Sequence, residues 1–472
     1  MENQNNKNVT QHITEQTVMF ATITKWILIS SSIGAVIGLI VALFLKLLEY
    51  CENSRSLLPF DYYYLLPFAL VVTVFIVKKF APSAEGHGTE KVIEAVHKNS
   101  GQMNLSVIPV KLAATVITIF AGGSVGKEGP GAQIGAAAAS FIATLFKFSK
   151  RDRKKMVICG ISAGFASVFG TPLAGAIFGV EILIVGALMY DILLPSIVAG
   201  FSAFFVAKMV GISYTYFDIA YYVTFDFNYV LIAKVLLAGI FFGLVADFII
   251  TVLRVISSYA KSLKINYMLK AFLGGTIIVI LTLIVGEQYL GLGFDTIKDS
   301  LSASFQDHEN IPWYAFIAKT IFTSLTLGFG GSGGVITPVF YIGATSGNFF
   351  GGLVDGYIPL FAALGFVSVL AGATSAPIAA MIMAVELFGV NVAHYAALSI
   401  IIAFLMTGHR SVFPSQVLSM KKSDAINIKL GGEIINAEAT YTTKFFINIK
   451  RFLRIIYVKS KRALRKRKNS KG

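Results

Sequence analysis

The chain has 472 residues, 55% of them hydrophobic and 14% charged, with a net charge of +15. Soluble domains carry nearer to roughly a quarter of charged residues, so a water-facing enzyme or binding module is excluded. Lipid must cover part of the surface.

In chain order, the first 17 residues are polar and lack a basic stretch ahead of an apolar one, so no cleavable leader is expected. Apolar runs near the ~20 residues that cross a bilayer then recur. They include Trp26 to Leu48, Leu231 to Leu253 and the shorter Ala271 to Val285. Between them lies the basic loop Arg151-Asp152-Arg153-Lys154-Lys155. From Thr440 to Gly472 there are twelve basic residues and no acid, interleaved with Phe445, Phe446, Ile449, Phe452, Leu453, Ile456 and Tyr457. A basic segment with apolar residues suits an anionic leaflet better than nucleic acid, so no nucleic-acid partner is expected. The positive-inside rule then places this tail and the 151–155 loop in the cytoplasm. The expected layout is a polar segment over 1–19, a transmembrane domain over 20–420 and a basic amphipathic cytoplasmic tail over 421–472. Cys51 and Cys159 have neither disulfide-framework nor metal-ligand spacing and are read as packing residues.

The most informative feature is an internal repeat. Lys111 to Ala136 and Lys319 to Ala344 align without gaps at an offset of 208, with 11 identities in 26 positions, too many for unrelated segments. Five more identities follow at an offset of 205: Pro172, Ala174, Ile177, Val180 and Glu181 match Pro377, Ala379, Ile382, Val385 and Glu386. The chain is therefore two related halves, about 20–210 and 225–415. Repeated halves are common in transporters, often in inverted topology, with substrate bound between them near the midplane where helices are broken. Gly122 to Pro130 interrupts one apolar stretch, and Gly330 to Pro338 the other. Proline suits a first helical turn, and the preceding glycines let the backbone turn tightly. Each break offers a helix N-terminus with unpaired amides and partial positive charge, and two of them converging bind an anion without a full charge.

With these motifs in place, the chain resembles the CLC family of chloride channels and chloride/proton exchangers. Gly126-Lys127-Glu128-Gly129-Pro130 is similar to the family's Gly-Lys/Arg-Glu-Gly-Pro, and Gly334-Val335-Ile336-Thr337-Pro338 to its Gly-x-Phe-x-Pro. Pro172-Leu173-Ala174-Gly175 with Phe178 and Glu181 also fits. The resemblance spans about residues 20–420. It implies an all-helical, polytopic, homodimeric membrane protein without a cofactor or metal, with one anion pathway per subunit. Glu128 would be the gating glutamate, exchanging protons and competing with a transported anion, most simply chloride. The resemblance places Gly126, Lys127, Gly129, Val335, Ile336, His87 and Phe413 around the anion. The departures matter equally. The family's Gly-Ser-Gly-Ile-Pro stands here as Gly86-His87-Gly88-Thr89-Glu90, and its late tyrosine aligns with Phe413. Both side-chain hydroxyls of the central site are thereby absent. At the position of the inner proton-relay acid stands Ile182, and a branched alkyl group carries no proton. Glu181 is adjacent but points about 100° away on a helix, and its repeat mate Glu386 favours a structural role for both.

The missing relay puts a passive, voltage- or pH-gated chloride channel first, with a chloride/proton antiporter as the alternative. A remote third reading follows from Gly-x-Ser-x-Gly at Ser124 and Ser332, as in an intramembrane serine protease with His394 or His409 as base. A protease needs one nucleophile, whereas this pattern occurs twice by the repeat. The short segment after Ser415 also predicts no large regulatory domain and no nucleotide control.

Overall fold

A computed structural model describes residues 2–217, 228–302, 311–437 and 439–441. The basic stretch from 442 to 472 lies outside the described residues. The described chain is dominated by sixteen α-helices. The first eight are α1 (Glu2–Asn53), α2 (Leu66–Phe80), α3 (Gly88–Lys98), α4 (Val107–Phe120), α5 (Glu128–Leu145), α6 (Lys150–Phe169), α7 (Pro172–Glu181) and α8 (Tyr190–Met209). The second eight are α9 (Tyr229–Ser262), α10 (Tyr267–Val285), α11 (Phe294–Leu301), α12 (Ala315–Gly328), α13 (Ile336–Leu353), α14 (Ile358–Thr374), α15 (Pro377–Phe388) and α16 (Val390–Met406). The order of long, short and broken helices in one half is that of the other. Residues 2–19 continue into the first span as one helix. The only strands among the described residues are two-residue pairs, of which Ile184–Val185 with Val417–Leu418 joins the end of α7 to the segment after α16.

Among the described residues, five helices are long and apolar enough to cross a membrane, from Gln11–Leu57 to Tyr267–Val285. Their outward side chains, such as Phe68, Leu237 and Ile284, are exposed in the isolated chain, as a lipid-facing surface requires. The core is different. Helices α5, α6, α13 and α14 are buried nearly throughout, and small residues let them touch. A Cβ on Gly135 would lie 2.4 Å from the Gly160 carbonyl, and one on its repeat mate Gly343 would lie 2.5 Å from the Gly365 carbonyl. Such contacts replace the hydrophobic effect, which lipid does not supply between helices.

The halves are inverted, and their mutual capping shows how. Glu181 at the end of α7 accepts from the Ile378 and Ala379 amides of α15, at 2.9 and 2.7 Å. Glu386 near the end of α15 accepts from the Leu173 and Ala174 amides of α7, at 3.1 and 2.8 Å. Each C-terminal end thus caps the other's N-terminus, so the two helices are antiparallel. The carboxylates fill the orphan amides and complement the helix dipoles, the structural role expected for both acids.

The breaks are also held across the halves. The Ser124 hydroxyl pairs with Thr323 at 3.0 Å, and its amide donates to Thr326 at 3.2 Å. By symmetry the Ser332 hydroxyl pairs with Thr115 at 3.2 Å, and its amide donates to Thr118 at 3.1 Å. Every partner is a repeat mate at offset 208. Both serines are buried and bonded to threonines. His409 instead accepts from the Lys422 amide, so the serine-protease reading has no nucleophile–base pair and is dropped. Lys111 and Lys319, also mates, are fully buried and bond only to carbonyls: Ala84 and Gly86 for one, Tyr289 and Gly291 for the other. They pin the loops leading into α3 and α11.

Candidate functional site

Three helix N-termini meet at the contact between the halves. Gly122 and its mate Gly330 have φ of +91° and +106°, a left-handed conformation open mainly to glycine. These turns bring Gly126 and Gly334 together, and their backbones exchange hydrogen bonds in both directions, at 2.7 and 2.6 Å. Gly126 was expected among the anion donors. Its amide is instead committed to Gly334, which corrects that assignment: Gly126 is a hinge pin and not an open donor. The third N-terminus, that of α3, packs on the second break through a backbone bridge between His87 and Gly333. There is no room for side chains at this crossing. A Cβ on Gly88 would lie 2.5 Å from the Gly129 carbonyl, and one on Gly334 2.7 Å from the Gly129 amide.

Glu128, the first residue of α5, is buried and turned onto the N-terminus of α13. Its Oε2 accepts from the Thr337 amide at 3.1 Å, and its Oε1 from the Thr337 hydroxyl at 2.6 Å. A carboxylate therefore sits where an anion would, on amides at the positive end of a helix. Thr337 is the partner that sequence reasoning missed. It fills an unspecified position of the Gly-x-Phe-x-Pro motif, so the motif gave no reason to single it out. The amides of Val335 and Ile336, expected as donors, have no backbone acceptor among the described residues, and both side chains are buried.

Lys127 projects the other way. Its Nζ lies 4.9 Å from the centre of the Phe294 ring, and it lines, with Glu128, a cavity of about 370 Å³. Glu49 and Glu52 of α1, Phe169, Phe340 and Lys298 line the same cavity.

His87 and Phe413 stand near one another. Their ring centres are 6.4 Å apart. Phe413 is fully buried, and His87 Nδ1 is buried with no hydrogen-bond partner. His87 stands at the N-cap of α3. Ile182 is fully buried, and its carbonyl accepts from the Gln416 side chain at 2.8 Å. Beyond it, Lys98 at the end of α3 pairs with Glu433 at 3.0 Å, which holds that ammonium above its usual pKa. The basic run 151–155, expected as a loop, forms the first turns of α6, because Ser149 caps that helix on the Asp152 amide. Arg153 there donates to the Ser100 carbonyl at 3.2 Å. The start of α6 and the described C-terminal segment therefore share one face. Among the described residues no group of three or more His, Cys, Asp or Glu is placed to hold a metal.

Comparison with known proteins agrees with this architecture. The family described as "Voltage gated chloride channel" matches residues 68–408. A chloride/fluoride channel protein of Pseudomonas syringae pv. tomato is 34% identical over 418 residues, covering 86% of this chain and 90% of the relative. A voltage-gated ClC-type chloride channel of Shigella flexneri is 28% identical, covering 64% and 72%. Among solved structures, a CLC-type fluoride/proton antiporter superposes with a TM-score of 0.78 at 27% identity, covering 84% of this chain and 98% of that one. A slow cyanobacterial Cl⁻/H⁺ antiporter superposes at 0.69 with 20% identity, covering 81% and 94%, a likeness of fold.

Proposed function

The chain belongs to the voltage-gated chloride channel (CLC) family of anion-transporting integral membrane proteins, and from that premise we propose that it exchanges a small halide, fluoride foremost, for protons. The observation that carries this reading is the Glu128 carboxylate seated on the Thr337 amide and hydroxyl. While it sits there, an anion on the same amides is excluded. When an anion takes its place, the displaced carboxylate leaves the helix N-terminus that favours its ionised form, and takes up a proton. Anion entry and proton uptake thus become one exchange at a single group.

The passive channel expected first from Ile182 gives way here to its alternative. The solved structure at 27% identity is described as an antiporter, and an acid blocking the pathway suits exchange better than open conduction. Fluoride replaces chloride as the first-named anion for two reasons. The relative at 34% identity is named for chloride and fluoride, and the solved structure at 27% for fluoride. The central site also lacks both side-chain hydroxyls, and offers instead backbone amides at Val335 and Ile336, the imidazole of His87 and the ring of Phe413. Amides in a tight glycine-walled crossing suit a small, charge-dense acceptor, and an aromatic ring presents a positive edge. The face carrying the basic start of α6 and residues up to 437 is assigned to the cytoplasm by its basic charge, and a homodimer is expected, one pathway per subunit.

Reconstitution into vesicles tests the proposal. An inward fluoride gradient should drive protons outward against their own gradient. Rapid fluoride flux with no proton movement would return the protein to the channel class.

A further inference from the structure

Ile182 leaves the inner side of the site without a proton carrier where relatives of the resembled type have one, yet an acid stands close by on another element. Glu90 lies one turn into α3, three residues from His87. One of its oxygens accepts from the Ser415 amide at 3.0 Å and from the Ser415 hydroxyl. The other, Oε2, is buried with no partner. No basic side chain among the described residues forms an ion pair with Glu90. The residue after Ser415, Gln416, donates to the carbonyls of Ile182 and Thr374 at 2.8 and 2.9 Å. One dipeptide therefore grips Glu90 on one side and the backbone of residue 182 on the other.

The surroundings are unusual for a core. His87 Nδ1, Thr89 Oγ1, Glu90 Oε2, Gln133 Oε1 and Gln416 Oε1 are all buried without a hydrogen-bond partner in the protein. An unmet buried polar atom costs about 1–3 kcal/mol, and five around one helix end are not a packing accident. They are what a path for mobile protons requires: donors and acceptors not already committed to each other. The path has direction as well. The C-terminal end of α3 reaches the face marked by the Lys98–Glu433 pair. Its N-terminal end packs on Gly129, the residue after Glu128.

We propose that Glu90 is the inner proton-relay acid of the exchange cycle, in place of the acid absent at residue 182. It rests on the exchanger reading above. A proton from the basic face binds the Glu90 carboxylate. The neutral acid then releases it across the α3–α5 contact to the Glu128 carboxylate, and Glu90 is left ionised for the next turn. His87, at the N-cap of the same helix with a free Nδ1, is placed to pass that proton on.

The test measures anion and proton flux together in vesicles, for wild type, Glu90→Gln, Glu90→Asp and Ser415→Ala. Wild type is read first: if it moves no protons, the exchanger reading fails and this proposal falls with it. If wild type couples, Glu90→Gln should keep anion flux near wild type while proton flux falls about 100-fold, the scale of a lost acid–base group. Glu90→Asp should retain part of the coupling. Ser415→Ala, which removes a Glu90 partner but not the acid, should couple normally. Restored proton flux on adding Ile182→Glu to the Glu90→Gln variant would support the relay further. Wild-type stoichiometry in Glu90→Gln would overturn the proposal and leave the exchanger reading standing. So would parallel loss of both fluxes in that variant, because it would make Glu90 a staple for the Ser415 loop.

Discussion

The two helix breaks share one blueprint and differ where the chemistry is. Gly122, Gly123, Ser124, Gly126 and Pro130 recur as Gly330, Gly331, Ser332, Gly334 and Pro338. Both breaks are held by threonines of the opposite half. Between Gly126 and Pro130 stand Lys127, Glu128 and Gly129; between Gly334 and Pro338 stand Val335, Ile336 and Thr337. One break supplies a built-in anion, and the other supplies the amides and hydroxyl that receive it. Symmetry builds the frame, and three substituted positions turn it into a lock with one key. A strictly symmetric pair would carry two carboxylates facing each other, or two empty N-termini. Neither couples a proton to an anion.

The largest effect should come from removing the asymmetric acid. Glu128→Gln should abolish proton movement and leave anion flux running, as joint electrode recordings on vesicles would detect. A mutant that still pumps protons would mean that the key lies elsewhere. Next, Thr337→Val removes a hydroxyl bonded to a charged group, an interaction worth about 1.5–3 kcal/mol. The carboxylate should then be displaced more easily, and the apparent affinity for fluoride should rise by about tenfold or more. Unchanged affinity by isothermal titration would place the hold in the backbone amide alone.

His87→Ala should alter the fluoride-to-chloride flux ratio, measured between about pH 5 and 8, because its buried Nδ1 stands beside the Phe413 ring. Identical ratios across that range would remove His87 from the anion's surroundings. The symmetric frame predicts matched costs. Ser124→Ala and Ser332→Ala each strand a buried threonine hydroxyl, and each should destabilise by about 1–2 kcal/mol in thermal unfolding in detergent. Unequal costs would show that one break is anchored by more than its repeat contacts. The smallest effect is peripheral: Glu433→Gln, which breaks the exposed Lys98 pair, should cost at most about 1 kcal/mol, less in high salt.

Much of the frame could be read directly from the sequence. The repeat offset already paired Thr115 with Thr323, Thr118 with Thr326 and Ser124 with Ser332, although not the fact that each serine bonds the threonines of the opposite half. Such bonds need the halves to be interleaved, which no one-dimensional alignment encodes. Lys111 and Lys319 appeared as identities, yet their carbonyl partners come from loops some 30 residues earlier. The catalytic asymmetry was only half visible. Glu128 stood out because its motif is distinctive. Thr337 and Glu90 did not, one filling an unspecified motif position and the other replacing a proline, which reads as a lost feature and not a gained acid. Gly126 was over-read, because a motif glycine looks like an open donor until its backbone partner is seen.

The most direct test of the account is the coupling ratio itself. With the purified protein in sealed vesicles, a fluoride gradient is imposed at equal pH on both sides, with the membrane potential clamped by a potassium ionophore. The account predicts protons driven uphill in a fixed proportion to fluoride, and a proportion that vanishes in Glu128→Gln. Fluoride or chloride flowing down its gradient with pH unchanged on both sides would contradict it.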